Sequence, residues 1–276
     1  MSNDPTFESV RISIDDDGIA EVLLRATGKS PRMGPSFWNE FAQVFRWLND
    51  EPRVRVVLLR GEGPNFSTGL DLQAMASEVA PLVGPAVATE RYALYALIQR
   101  MQGAIDAVAA CKKPVIAAIA GNCLGGGVDL ITACDVRLCA DDAVFSVREV
   151  RLAMVADVGT LARLPGIVGQ GVAREWALTG DDFDAKRALR AGLVNETFAT
   201  HEALFTAARA MAARIARNPP LTVQGVKQVL NDRSEREARE SLKYVALYNA
   251  AFLPSEDLRE ALSAWMEKRE PKFEGR

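Results

Sequence analysis

The stretch Pro114-Val115-Ile116-Ala117-Ala118-Ile119-Ala120-Gly121-Asn122-Cys123-Leu124-Gly125-Gly126-Gly127-Val128-Asp129-Leu130 carries the fold in its order of residues. A proline opens a short apolar run, which reads as a buried strand, and a loop rich in glycine then leads into a helix start. The same layout stands upstream, where Val56-Val57-Leu58-Leu59-Arg60 runs into Gly61-Glu62-Gly63-Pro64-Asn65-Phe66-Ser67-Thr68-Gly69-Leu70-Asp71-Leu72. Neither loop contains GxxxxGK[ST] or GxGxxG, so neither is a P-loop or a dinucleotide fingerprint. Glycine at such a junction lets backbone N–H groups approach a ligand at the positive end of a helix dipole. Two such loops brought together offer two donors to one oxygen, an oxyanion hole. The alternative is that these glycines serve tight strand–helix packing and nothing more.

Working outward, Val10 to Ile14 and Ile19 to Leu24 flank Asp15-Asp16-Asp17-Gly18 and read as a hairpin. Residues 35–49 place Phe37, Phe41, Val44, Phe45 and Leu48 on one helical face, and a long helix fills much of 86–111. Val136 to Cys139 and Ala143 to Phe145 are further strand candidates. From Glu202 to Lys268 the pattern is helical, with breaks expected at Asn218-Pro219-Pro220, Asn231-Asp232 and Pro254. The charged run Asp232 to Glu240 reads as a solvated helix face with internal ion pairs. The expected organisation is an α/β core over residues 1–200 and a helical lobe over 201–276.

Composition excludes several classes. A chain of 276 residues is long for one compact core and short for three. A charged fraction of 25% argues against global disorder, and a net charge of −3 against a broad nucleic-acid surface. No stretch approaches the ~20 apolar residues of a membrane span. The start MSNDPTFESV lacks the basic and apolar segments of a signal peptide, and Phe273-Glu274-Gly275-Arg276 is no SKL-type address. Cys111, Cys123, Cys134 and Cys139 form no CxxC pair, which fits a reducing, cytoplasmic setting. The one histidine, His201, stands at an apparent helix start with no motif around it. Histidine-based nucleophilic catalysis and histidine-rich metal sites therefore lack their residues, and proton chemistry falls to carboxylates.

The two glycine segments resemble the oxyanion segments of the crotonase (enoyl-CoA hydratase/isomerase) superfamily. The likeness runs from about residue 10 to the C-terminus. It implies an α/β spiral of repeated ββα units with a C-terminal helical trimerisation lobe, assembled as a homotrimer or homohexamer. It also implies acyl-CoA thioester substrates, coenzyme A being part of the substrate, with no separate cofactor and no metal. The positions matching the two carbonyl-holding amides are Thr68 and Gly126. Within the superfamily, Gly126 to Asp135, Phe145 to Val150 and Ala156 to Pro165 resemble the Δ3,5-Δ2,4-dienoyl-CoA isomerase branch. Its three acids have counterparts in Asp129, Glu149 and Asp157, whereas hydratases usually have glycine at the third place. The loop after the second strand departs from the family pattern. Arg25, Lys29 and Arg32 are the candidates there for contact with the CoA phosphates, and plain surface charge is the other reading. The family's variable pocket loop matches Ala80-Pro81-Leu82-Val83-Gly84-Pro85.

The residues themselves support acid–base work. Phe145, Val147 and Glu149 alternate with Ser146 and Arg148, so an extended segment puts Glu149 on the apolar side, where desolvation raises its pKa. Otherwise it pairs with Arg148 or Arg151. Asp157 either serves the site or caps the helix after it. Asp129 faces either the pocket or a capping contact. Bringing two double bonds into conjugation with a thioester takes one proton from C2 and returns one to C6, which two separated carboxylates do better than one. The expected roles are Glu149 at C2 and Asp157 at C6, exchangeable between them, with Asp129 tuning Glu149. Loss of one oxyanion donor typically costs ~2.7–4 kcal/mol. Two rival readings stand beside this one: a 2-enoyl-CoA hydratase using Asp129 and Glu149 on one water, and a non-catalytic acyl-CoA-binding scaffold.

Overall fold

In the computed structural model, which describes residues 4–82 and 87–276, the Asp15 carboxylate accepts the amides of Asp17 and Ile19 and closes a hairpin. Its arms are β1 (Val10–Ile14) and β2 (Ile19–Leu24). A small hairpin of β3 (Ala26–Thr27) and β4 (Ser30–Pro31) leads to α1 (Pro35–Asp50), whose first-turn proline gives up no hydrogen bond. β5 (Val56–Gly61) runs through the first glycine loop into α2 (Leu72–Val79), a 3-10 turn at Ala80–Leu82 and α3 (Ala88–Ala110). β6 (Val115–Ile119), β7 (Asn122–Leu124) and α4 (Gly126–Thr132) frame the second loop. Next come β8 (Val136–Ala140), β9 (Val144–Ser146), a 3-10 turn at Glu149–Leu152, α5 (Thr160–Val168) and α6 (Gln170–Thr179). β10 (Phe183–Asp184), α7 (Ala185–Ala191) and β11 (Glu196–Phe198) precede α8 (His201–Ala216), α9 (Pro220–Phe252) and α10 (Glu256–Glu267).

The main sheet has the order β1-β2-β5-β6-β8-β11, antiparallel in its first pair and parallel after it. A second sheet, β10-β9-β7, stands beside it, so successive strand–strand–helix units wind into a spiral that ends in helices. This is the α/β spiral with C-terminal helices expected from the sequence. Alternation along β5 explains the layering: Val57 and Leu59 face the cluster that includes Phe41, Phe45 and Ile105, while Val56 and Leu58 face Leu204, Ala208 and Ala212 of α8. The strands are apolar on both sides because both faces are covered. α8 therefore forms a layer of the core.

Two local readings need correction. No break occurs at Asn231-Asp232, because Asp232 pairs with Arg236 one turn on at 2.7 Å and Asn231 donates to Ala109 O at 3.1 Å, both compatible with continuous helix. The strand expected to carry Glu149 stops at Ser146, and Glu149 opens the 3-10 turn instead. His201 starts α8 behind the Thr200 cap and meets Asp142 at 2.8 Å on the surface. Of the segment matched to the variable pocket loop, Val83, Gly84 and Pro85 lie outside the described residues, as do the first three residues of the chain.

Candidate active site

Main-chain hydrogen bonds lay the two glycine loops side by side. Ser67 N–H donates to Asn122 O at 3.0 Å, Leu124 N–H to Ser67 O at 3.0 Å, and Met33 N–H to Gly69 O at 2.8 Å. Two positions in this seam require glycine. Gly69 has φ +81°, and a Cβ there would stand 2.7 Å from Leu124 O; Gly125 has φ +52°, and its Cβ would meet Glu149 Oε1 at 3.3 Å. Gly69→Ala should therefore lower stability by on the order of 1–3 kcal/mol in denaturant unfolding, since backbone, not a flexible side chain, blocks the new atom.

The amide expected to act at Thr68 is already engaged. Its N–H donates to Pro31 O at 3.0 Å, because the chain ahead of α1 runs alongside and takes it. Met33 bridges Leu70 in parallel, with the hydrogen bonds running through Gly69 O and Asp71 N, so the Leu70 N–H points to the opposite side. Gly126 is the first residue of α4, where helix geometry leaves its N–H unpaired. Among the described residues, no hydrogen bond claims the Leu70 or the Gly126 amide. Both residues line one cavity of about 450 Å³, together with Glu149, Arg32 and Trp265. An apolar cavity of about 1080 Å³ between α2 and α10 adjoins it, sharing Leu70, Met154 and Trp265.

Of the three acids Glu149 lines the first cavity, while Asp129 and Asp157 line neither cavity but stand close enough to act on the Glu149 charge. Asp129 lies in the first turn of α4, fully buried, and its Oδ1 accepts the Thr160 N–H of α5 at 2.5 Å. Asp129 thus caps α5 from outside that helix, while its Oδ2 is buried without a partner among the described residues. Asp157, offered as a possible cap, does not serve as one, because Gly159 occupies the cap position. Instead Asp157 Oδ2 accepts the Asn249 amide at 2.7 Å, and its carbonyl accepts from Gln102 at 2.7 Å. Glu149 is half-buried, Oε2 without a partner among the described residues. Arg148 and Arg151 are paired with Asp182 and Asp181, each at 2.8 Å, so Glu149 is not their counter-ion.

Burial, and then mutual repulsion, sets the electrostatics. Burial pushes Glu149 well above the ordinary carboxylate range, and the Asp129 and Asp157 charges add to that. Burial raises Asp157 to about 7, against the pull of the Asn249 hydrogen bond, with the Asp129 charge pushing it further up. Asp129 is raised to about 6 by burial, held back by the Thr160 backbone hydrogen bond. All three carboxyl groups are held above the ordinary carboxylate range, Asp129 and Asp157 to about 6 and about 7, and groups so perturbed are candidates for acid–base work.

Of the three basic candidates, only Arg32 lines the cavity; Arg25 and Lys29 are exposed and line neither cavity. Arg148, Arg151 and Arg269 also line the cavity; the sequence offered the first two only as partners for Glu149 and did not single out Arg269. Asn249 and Gln102 were also missed. Asn249 did leave a signal: it is a polar residue on the apolar stripe Leu242, Val245, Ala246 and Ala250 of α9, and a polar group there must find a partner. Among the described residues, no cluster of three or more His, Cys, Asp or Glu could hold a metal, and no helix is long and apolar enough to cross a membrane.

Comparison with known proteins shows the family of the chain. A mitochondrial Delta(3,5)-Delta(2,4)-dienoyl-CoA isomerase of Dictyostelium discoideum is 44% identical over 94% of this chain and 88% of its own. A peroxisomal isomerase of the same name from Arabidopsis thaliana is 41% identical over 99% and 98%. The crystal structure of an enoyl-CoA hydratase/isomerase from Xanthobacter autotrophicus Py2 superposes with a TM-score of 0.83 at 27% identity, covering 97% of this chain and 100% of that one. With the family profile of enoyl-CoA hydratase/isomerase matching residues 15–276, this chain belongs to that family.

Proposed function

We propose that the protein is an isomerase of fatty-acid β-oxidation that converts 3,5-dienoyl-CoA to 2,4-dienoyl-CoA. The observation that carries this reading is a third carboxyl group, Asp157, beside Asp129 and Glu149. Glu149 takes the C2 proton, and the C–H electrons pass into a conjugated enolate whose negative charge rests on the thioester oxygen. The Leu70 and Gly126 amides hold that oxygen, replacing the pair with Thr68 and adding the α4 dipole. Asp157 then gives its proton to C6, the double bonds settle at C2 and C4, and the carbonyl is restored. No electron is gained or lost, so no redox cofactor is called for. The two acids help one another: a protonated Asp157 is the donor needed at C6, and it relieves Glu149 of a repelling charge.

Other parts of the surface support the remaining expectations. Leu221, Val229, Leu230, Tyr244 and Phe252 of α9 are exposed, an apolar display that favours a homotrimer or homohexamer. Arg32 is the best placed of the basic candidates for a CoA phosphate. The four cysteines are buried and unbonded, which favours a reducing compartment such as the cytoplasm. The direct assay supplies 3,5-dienoyl-CoA and follows the ultraviolet band of the 2,4-product. Turnover exceeding hydration of crotonyl-CoA supports the isomerase; faster hydration favours a hydratase, and binding without either reaction favours a scaffold.

A further inference from the structure

Asn249 reaches the site from α9, more than ninety positions along the chain from the acid it touches. It is 2% exposed, and its Nδ2 donates both to Val155 O at 2.8 Å and to Asp157 Oδ2 at 2.7 Å. Both partners are oxygens, one of them a carbonyl that can only accept, so the amide nitrogen must face them. Asn249 is the one side chain that hydrogen-bonds the Asp157 carboxylate among the described residues. We infer that Asn249 is a positioning residue for Asp157, holding one carboxylate oxygen so that the other is turned to the substrate and ready to exchange a proton. This inference rests on the proposed proton-transfer role of Asp157.

The bond has an electrostatic consequence. An N–H donor favours the ionised carboxylate, opposing burial and the charges around it. The titratable groups facing Asp157 are Asp129 from α4 and Glu149 from the 3-10 turn, both acids. α3 presents the neutral Gln102, and Arg163 of α5 is committed to Asp106 and Glu235 at 2.7 Å each. No cation compensates Asp157 among these neighbours, so the Asn249 amide is its principal stabilising partner. Gln102, by contrast, binds only main-chain oxygens, those of Asp157 and Leu242, and fixes the loop without touching the carboxylate.

The test titrates Asp157 directly, by NMR of the full-length protein with ¹³C-labelled aspartate carboxyls, the resonance being assigned through Asp157→Asn. In Asn249→Leu the Asp157 midpoint should move up by about 1–2 pH units, and the corresponding limb of the kcat profile should move with it. If the leucine variant does not fold, Asn249→Ala, which adds no bulk, carries the same measurement. Gln102→Leu should lower thermal stability and leave the midpoint in place. An unmoved midpoint in the folded Asn249 variant overturns the inference, and leaves the proposed function standing if the wild type still isomerises dienoyl-CoA. Absence of wild-type isomerisation counts against the proposed function instead, while the titration still reports on Asn249.

Discussion

Asp157→Asn is expected to lose dienoyl-CoA isomerisation by about 10²- to 10⁴-fold while thioester binding stays near wild type, as measured by initial rates and by equilibrium binding of a saturated acyl-CoA. The amide keeps the shape of the side chain and still offers an oxygen to Asn249, but it has no proton to exchange at C6. Binding persists because the Leu70 and Gly126 amides are untouched. The same substitution has a second consequence of known sign. The folded-state pKa of Asp157 is raised from an ordinary 3.8 to about 7. Between these values the folded chain keeps a proton that the unfolded chain has released. Wild-type stability therefore falls as pH rises through this window, and the penalty is complete above pH 7. Asp157→Asn never ionises, so it should be the more stable protein above pH 7 in denaturant unfolding, with the difference shrinking below pH 4.

Glu149→Gln should produce a loss of similar size, again about 10²- to 10⁴-fold, for a different reason. Glu149 must accept a proton next to the oxyanion donors, and its carboxylate lies against Gly125 at the mouth of α4. It forms no ion pair with the neighbouring arginines, so glutamine breaks no salt bridge and the fold should be retained. Hydration of crotonyl-CoA, if the protein shows any, should fall with it, whereas Asp157→Asn should leave hydration largely unaffected. Comparing the two variants on the two substrates separates an acid shared by both reactions from one needed only at C6.

The layers of the fold were legible because they depend on local patterns. The apolar runs at 56–59 and 115–119, the helical face of α1 and the turn at Asp15 to Gly18 each declare themselves within a few residues. The three acids were picked out through the family resemblance, and the folded chain brings them close enough to raise one another's pKa. What was hidden depends on chain partners distant in sequence. Thr68 is disqualified as an oxyanion donor by Pro31, which only the folded chain brings to its amide. The cap on α5 comes from Asp129 rather than from a residue just ahead of the helix, so a rule based on adjacent positions pointed to Asp157 instead. Asn249 is tied to Asp157 across the α9 packing, and its polarity on an apolar stripe was the one local trace of that tie.

Placing Glu149 at C2 and Asp157 at C6 is open to one direct measurement: incubate 3,5-dienoyl-CoA with Asp157→Asn in D₂O and locate deuterium by NMR. Glu149 should still exchange the C2 hydrogen, so deuterium should enter C2 of recovered substrate with little 2,4-product formed, whereas Glu149→Gln should show no C2 exchange. Rapid C2 exchange in Glu149→Gln, or unimpaired deuterium delivery to C6 in Asp157→Asn, would contradict that division of labour.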